Sequence, residues 1–581
     1  MKSALLSIWL LATIVAGHSV QAQAPAWQSV IAAASGADVI PRVYAVAKDG
    51  AGNVFITGTF RGTATIGGTT LTATSGSNAF VAKWNSSAGN FAWVQQVGCS
   101  VAAIAVGNGA VYIAGSISDA SATFGNITLV NNSYYWTISN IGSGIYSEGY
   151  VAKLTDTGSA GQFTWVKRIG GLYNEHVSAL AVAGASVYVG GRFYSETLLL
   201  DGQTTLANTA NGNVGNGSVG RTSNLFVAKL TDAGSTAAFE WAQGAGPRLA
   251  NSTSANYINS LAVVGSSIYA VGHSDTNVAF GSSAVVVSGA TQGGLVAKLT
   301  DAGSTGSFVW ARRVGQGEFD YCNQVAASGN SVYVVGDFSS PQLTLDNTTI
   351  ANTATGTTNM FVTKLTDAGT TGNFVWGQQM GGTSWNTGRA IVVQGNDLYV
   401  AGAFTGSVNI GGNALVSSGN YDALVVRLLD TGTTASVQWA QQAGGVGSDE
   451  ADALVLVGAT VYVAGGATPP ATFGSLTLAN SATFLATLAA VPLANVGSAA
   501  TRLSFDIFPN PARAVATVRV PAGSDAATLT LTDAVGRAIR SCHAAAGADY
   551  AFDLTSLAPG VYALRMETSA AAATRKLVIE R

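Results

Sequence analysis

The sequence predicts an all-β chain: a seven-bladed β-propeller closed by an N-terminal strand, followed by a small C-terminal β-sandwich. Three observations carry that expectation. Three landmarks each return seven times. They are the aromatic of a VYVxG-type strand (Phe55, Tyr112, Tyr188, Tyr269, Tyr333, Tyr399, Tyr462), the Trp of another (Trp27, Trp93, Trp165, Trp241, Trp310, Trp376, Trp439), and the aromatic or Leu of an FVAKL-type strand (Phe80, Tyr150, Phe226, Leu295, Phe361, Leu424, Phe484). Fixed-period self-similarity of this kind marks a repeat architecture. Next, the last unit ends at Leu488 with no Trp strand after it, while residues 26–30 form a Trp strand with no unit before it. A ring repairs both shortages and removes a free strand edge. Finally, composition changes after a small-residue linker at 491–502.

Within one unit the elements follow from patterning. In the third, Leu180 to Val182 alternates as a strand, Ala183–Ser186 turns it, and Val187–Phe193 returns as the second arm of a hairpin. A loop of varying length leads to the strand Leu225–Leu230. Thr231-Asp232-Ala233-Gly234 then turns the chain, because Asp can bond its own backbone and Gly accepts a positive φ. Phe239–Gln243 is the fourth strand. Four short antiparallel strands per unit of roughly 65 residues describe a propeller blade. An open solenoid would need a shorter period and parallel coils.

Composition narrows the function classes. The 581 residues are 48% hydrophobic with 71 Gly and only 10% charged, a Gly-punctuated globular composition. A net charge of −3 without a Lys/Arg cluster disfavours nucleic acid and anionic membranes as partners. Residues 1–22 combine Lys2, an apolar run and small residues before the cut, the pattern of a cleaved secretory signal peptide. No later run reaches membrane-spanning length, so no transmembrane segment is expected. Cys99, Cys322 and Cys542 have no metal or redox spacing and read as free thiols or small core residues.

Two resemblances add to this. On the GxxVYVxGxF and DAFVAKL signatures, for example 184–193 and 359–365, about residues 26–490 of the expected propeller domain, 23–490, resemble the Bacteroidetes-type β-propeller repeat of exported bacterial proteins. That resemblance implies the fold and says little of a ligand. Residues 503–581 resemble the type A C-terminal sorting domain of the type IX secretion system. The matching residues include Pro509, Asn510 and Pro511, the turn with Gly536, then Pro559, Gly560 and Tyr562, and the terminal strand with Lys576. It implies handling by the type IX machinery and a secreted or outer cell-surface location, reached through the periplasm.

No nucleophile elbow, zinc motif, P-loop or dinucleotide fingerprint occurs, so no cofactor, metal or catalytic residue is expected. Asp156, Asp232, Asp301, Asp367 and Asp430 recur in the TDAG-type turns and read as structural turn formers. Lys83, Lys153, Lys229, Lys298, Lys364 and Arg427 recur opposite the aromatic's face and read as solvated rim residues. Binding is expected in the variable loops, since rigid scaffolds carry function on their loops. The candidate ligand-binding residues are Tyr134, Tyr135, Trp136, Tyr173, Glu175, His176, Tyr257, Asp320, Tyr321, Trp385, Arg389 and Asp449. The expected function is a non-catalytic surface or secreted binding module for a glycan or protein. The alternatives are a polysaccharide-degrading hydrolase using Glu175, Asp320, Asp449 and Glu450 at the channel mouth, and a purely structural envelope protein.

Overall fold

The computed structural model of the protein describes residues 24–35, 42–74, 78–138, 142–208, 223–247, 256–274, 277–280, 286–288, 292–315, 317, 319–346, 348–353, 356–480, 482–490, 505–521, 526–533, 537–568 and 572–580. The segment expected to be the signal peptide, the linker 491–502 and Gly536 lie outside them. The chain divides into two compact bodies, Met1–Leu493 and Ala494–Arg581. Every regular element among the described residues is a strand. Among them no helix is long and apolar enough to cross a membrane.

The described part of the large body contains seven antiparallel sheets with a common four-stranded unit; three have four strands and four are extended to six by an added hairpin. In chain order, the first six are built as sheet two is, from Ser100–Gly107, Ala110–Ile117, Glu148–Asp156 and Gly161–Gly170. Sheet one begins at Arg42, and sheets three to six begin at Glu175, Tyr257, Tyr321 and Asn386. Sheet seven takes Glu450–Val457, Thr460–Gly466 and Thr483–Ala489 from the end of the array, and its fourth strand is Trp27–Ala32. That strand runs antiparallel to Thr483–Ala489 in the register Trp27↔Leu488 to Ala32↔Phe484.

The glycine of the VYVxG strand has a local cause. Every first strand carries a β-bulge, at 43/45, 101/103, 177/179, 258/260, 322/324, 388/390 and 451/453. The bulge presses the first strand's carbonyl onto the second strand at Gly58, Gly115, Gly191, Gly272, Gly336, Gly402 and Gly465, where a Cβ would overlap that oxygen.

Apolar burial lies between sheets. One cluster joins sheets two and three through Tyr112, Trp165, Val189 and Phe226. Another joins sheet seven to sheet one through Val455, Tyr462, Leu485, Val54 and Ile56. Because each sheet is covered on both faces, its third strand reads as a near-continuous buried run, as in Asn359–Asp367.

Where the sequence predicts a loop of varying length after each second strand, the structure has a further hairpin. Examples are Ser121–Phe124 with Ile127–Val130, and Thr197–Leu200 with Thr204–Ala207. These hairpins reach back to the fourth strand of the preceding sheet, as Phe124↔Val97, Ile169↔Leu200, Ala245↔Phe280 and Gly444↔Thr472. The bridges Gly382↔Val408 and Ser35↔Thr65 do the same. Outer strand edges are thereby covered.

The small body has a three-stranded and a four-stranded antiparallel sheet around Val518, Leu529, Phe552, Leu564 and Leu577. Asn510 ties its first turn to the last strand: its Nδ2 donates to the Lys576 carbonyl at 2.7 Å, and its Oδ1 accepts the Val578 N–H at 2.9 Å. Tyr562, two residues past Gly560 on the strand that follows Pro559, donates its hydroxyl to the Ala558 carbonyl at 2.9 Å. Pro509 and Pro511 follow cis peptide bonds.

Candidate functional site

The two ends of the sheets have different chemistry. At one end stand the TDAG-type turns, and each aspartate there is an acceptor for the preceding sheet. Asp232 accepts the Lys153 ammonium at 2.6 Å, the Tyr112 hydroxyl at 2.7 Å, the Trp165 indole N–H at 3.0 Å and the Gly234 N–H at 3.0 Å. Asp301, Asp367 and Asp430 repeat the Lys, Tyr and Trp contacts, and Asp156 repeats them without the hydroxyl, since Phe55 replaces Tyr. Burial alone would raise these carboxyls, but the donated hydrogen bonds outweigh it and hold all five below the ordinary value. The lysines are therefore not solvated rim residues: Lys83, Lys153, Lys229, Lys298 and Lys364 are buried. Strand alternation distinguishes two faces, but here a neighbouring sheet covers both. Arg427 differs, pairing with Asp397 at 2.8 Å. At its junction the backbone position of the turn aspartate is held by Ala490, and the Trp439 indole N–H is buried without a partner.

The other end carries the variable loops and most of the candidate residues. Seven equivalent positions stand just before the bulges, at or next to the start of the first strands: Arg42, Ser100, His176, Tyr257, Tyr321, Thr387 and Glu450. The bulged residues two places on reach to the next sheet. Ser178 donates to the Ile258 carbonyl, Asn259 to Cys322 at 3.0 Å and Asn323 to Gly388 at 2.7 Å. Arg389 pairs with Glu450 at 3.3 Å, and Arg42 holds both Glu450 and Asp452.

The acidic candidates are buried staples. Glu175 Oε1 accepts the Ser195 N–H and hydroxyl. Asp320 accepts from the backbone of Gly317, Ser339 and Ser340, and Asp449 from that of Gly445 and Thr468. Each locks the loop entering a first strand to the loop leaving a second. Burial, with the nearby Glu148 charge adding to it, pushes the Glu175 carboxyl up to about 8 against the hydrogen bonds from Ser195. Burial also raises Asp449.

The aromatic candidates gather in three groups. Tyr134, about half exposed at 52%, meets Tyr173 edge-on at 6.0 Å, and Tyr146 meets Tyr173 at 5.3 Å. Tyr257 stacks on His273 at 5.6 Å, and His273 meets Tyr321 at 4.9 Å. Trp385 meets Tyr421 at 4.9 Å. Tyr135 and Trp136 lie on the short strand Tyr135–Ile138, paired with Gly142–Ile145, and their side chains are outside the described residues. His176 sits 3.2 Å from the Ser116 hydroxyl and 3.4 Å from that of Ser147. Burial, then the Arg192 charge, pushes it down to about 4. Sequence reasoning missed Arg42, Arg192, Tyr194, Tyr421 and Asp452. The available signal was positional: Arg42 opens a first strand as Tyr257 and Tyr321 do, and Asp452 is its unit's equivalent of Arg389.

For the small body, the comparison with known families is decisive: residues 506–580 match the secretion system C-terminal sorting domain. The tail is a sorting domain. Its presence implies engagement by the type IX machinery and export to a secreted or cell-surface location. No curated protein matches the chain. Among solved structures, Sqt1 of Saccharomyces cerevisiae is similar at 8% identity, with 81% of this chain and 100% of that one covered and a TM-score of 0.35. A proposed 6-phosphogluconolactonase of Bacteroides fragilis is similar at 9% identity, with 74% and 97% covered and a TM-score of 0.36.

Proposed function

We propose that the seven sheets are the blades of a closed β-propeller, and that this propeller is a non-catalytic binding module presented outside the cell by type IX export. Ring closure is supported by the Trp27–Ala32 strand in sheet seven, the apolar cluster joining sheets seven and one, and Arg42 reaching Glu450 and Asp452 as the bulge residues of sheets three to six reach their next sheets. The binding reading rests chiefly on one observation: aromatic rings crowd the variable-loop end, while the acids among them are buried and held by backbone amides. A glycosidase needs an acid and a base that reach the scissile bond. Glu175, Asp320 and Asp449 instead hold loops, and Glu450 is paired with Arg42 and Arg389. Aromatic side chains bury large areas at low entropic cost and suit sugar faces or a partner's pocket.

The test is a glycan and surface-protein screen of the mature chain, followed by the Tyr173→Ala, Tyr321→Ala, Trp385→Ala triple variant. Loss of binding with an unchanged melting temperature is expected. Undiminished binding refutes the assignment to this face.

A further inference from the structure

Arg192 faces His176 across the first two strands of sheet three. Its guanidinium lies over two rings, 5.8 Å from the centre of Tyr194 and 5.6 Å from that of Tyr257. The Tyr257–His273–Tyr321 contacts continue this row into sheet five. On the other side stand His176 and the Ser147 that follows Tyr146. His176 is neutral near pH 7, so the charge at this place is that of Arg192.

Arg192 differs from Arg42 and Arg389 in lacking an acid. Arg42 and Arg389 are matched by Glu450 and Asp452. Among the described residues no carboxylate lies within ion-pairing distance of Arg192, although the side chain is half-buried. Stacking occupies the faces of a guanidinium and leaves its edge, where the N–H donors are. That edge matches the paired oxygens of a carboxylate or sulfate, which it can grip through two hydrogen bonds at once.

We infer that Arg192, framed by Tyr194, Tyr257 and Tyr321, takes the acid group of an anionic polysaccharide whose sugar rings lie along the tyrosines. This rests on the binding reading of the same end of the propeller. A row of rings crossing three sheets fits an extended polymer better than a small anion. Uronate carboxylate and sulfate ester share the chemistry required.

The experiment uses the mature full chain in affinity electrophoresis and calorimetry with polygalacturonate, dextran sulfate and neutral dextran. The expected result is binding to at least one charged polymer, with preference between the two identifying the acid group. It should weaken as salt rises from about 50 to about 500 mM, because the contact is a screened charge. Arg192→Gln should weaken binding about tenfold or more, the scale of a lost charge-assisted hydrogen bond. Arg192→Lys, which keeps the charge without the fork, should fall between. Melting curves of both variants check folding, and either folded variant suffices. Equal binding by wild type and variants, or no binding to either charged polymer, overturns the inference. A neutral glycan or protein ligand lost in the Tyr173, Tyr321, Trp385 triple variant but indifferent to Arg192→Gln overturns the anion inference alone.

Discussion

Replacing Asp232 by Ala tests how neighbouring sheets are held together. The carboxylate is buried and accepts from Lys153, Tyr112, Trp165 and Gly234. Its loss leaves a buried ammonium uncompensated, a cost of about 3–5 kcal/mol where one partner of a buried pair is removed. The orphaned hydroxyl and indole N–H would each add about 1–3 kcal/mol if neither found water. Both groups lie near a turn and can be partly rehydrated, so about 4 kcal/mol is expected in all. A body of this size gains unfolding entropy of roughly 1 kcal/mol per kelvin, so the melting temperature should fall by about 4 °C. The assay is thermal unfolding of the mature protein followed by tryptophan fluorescence at pH 7. The pH dependence carries a sign. Asp232 titrates below its unfolded value, so its contribution is present above about pH 4 and is lost as pH falls through the folded value. The difference between wild type and variant should therefore shrink in acid. A Lys153→Met, Asp232→Leu double variant should recover the part of the loss that comes from the buried ammonium, since an apolar pair of similar volume leaves no buried charge, while Tyr112 and Trp165 still lack their acceptor. A melting temperature for Asp232→Ala within about 1 °C of wild type would refute the reasoning.

The remaining expectations use the same assays. Gly402→Ala should cost about 3 kcal/mol or more in urea unfolding, because the new methyl meets the Thr387 carbonyl and neither backbone can move aside. Ala490→Asp should raise stability by about 1–2 kcal/mol, by giving the orphaned Trp439 indole an acceptor where other sheets have one. Glu175 titrates above its unfolded value, at about 8, so its contribution is present below the unfolded value and is lost as pH rises through about 8. Glu175→Gln should accordingly show a smaller drop in melting temperature between about pH 6 and pH 9 than wild type does.

The strands were legible because each landmark has a backbone cause. The Gly of VYVxG accommodates the bulge, and Gly234 in its turn has φ 91°. The sorting tail was legible through its turn residues, and Asn510 does stitch the first turn to the last strand. Two features were not legible. The second hairpin of each sheet hides in segments such as Thr197–Ala207, whose tight turn at Asp201-Gly202 resembles any loop until its pairing with the preceding sheet is known. The lysines were misread because alternation cannot tell solvent from a neighbouring sheet, and Lys153 finds its counter-charge 79 residues away. The candidate acids looked available in sequence for a related reason. Glu175 is held by Ser195, on the far side of a hairpin, and nothing local to Glu175 announces that contact.

Ring closure is tested most directly by a disulfide between residues 29 and 487. Ser29 and Thr487 are register partners on the strands that would seal the ring, with their hydroxyl oxygens 2.7 Å apart. In a Cys542→Ser background, which leaves only the buried Cys99 and Cys322, the S29C/T487C protein is oxidised and digested, and the linked peptides are identified by mass spectrometry. The account predicts a 29–487 bond formed within single molecules, with the S29C/L485C pair, two residues along the partner strand, failing to form. A folded S29C/T487C protein that forms no bond, or forms it only between molecules, would contradict the closed ring.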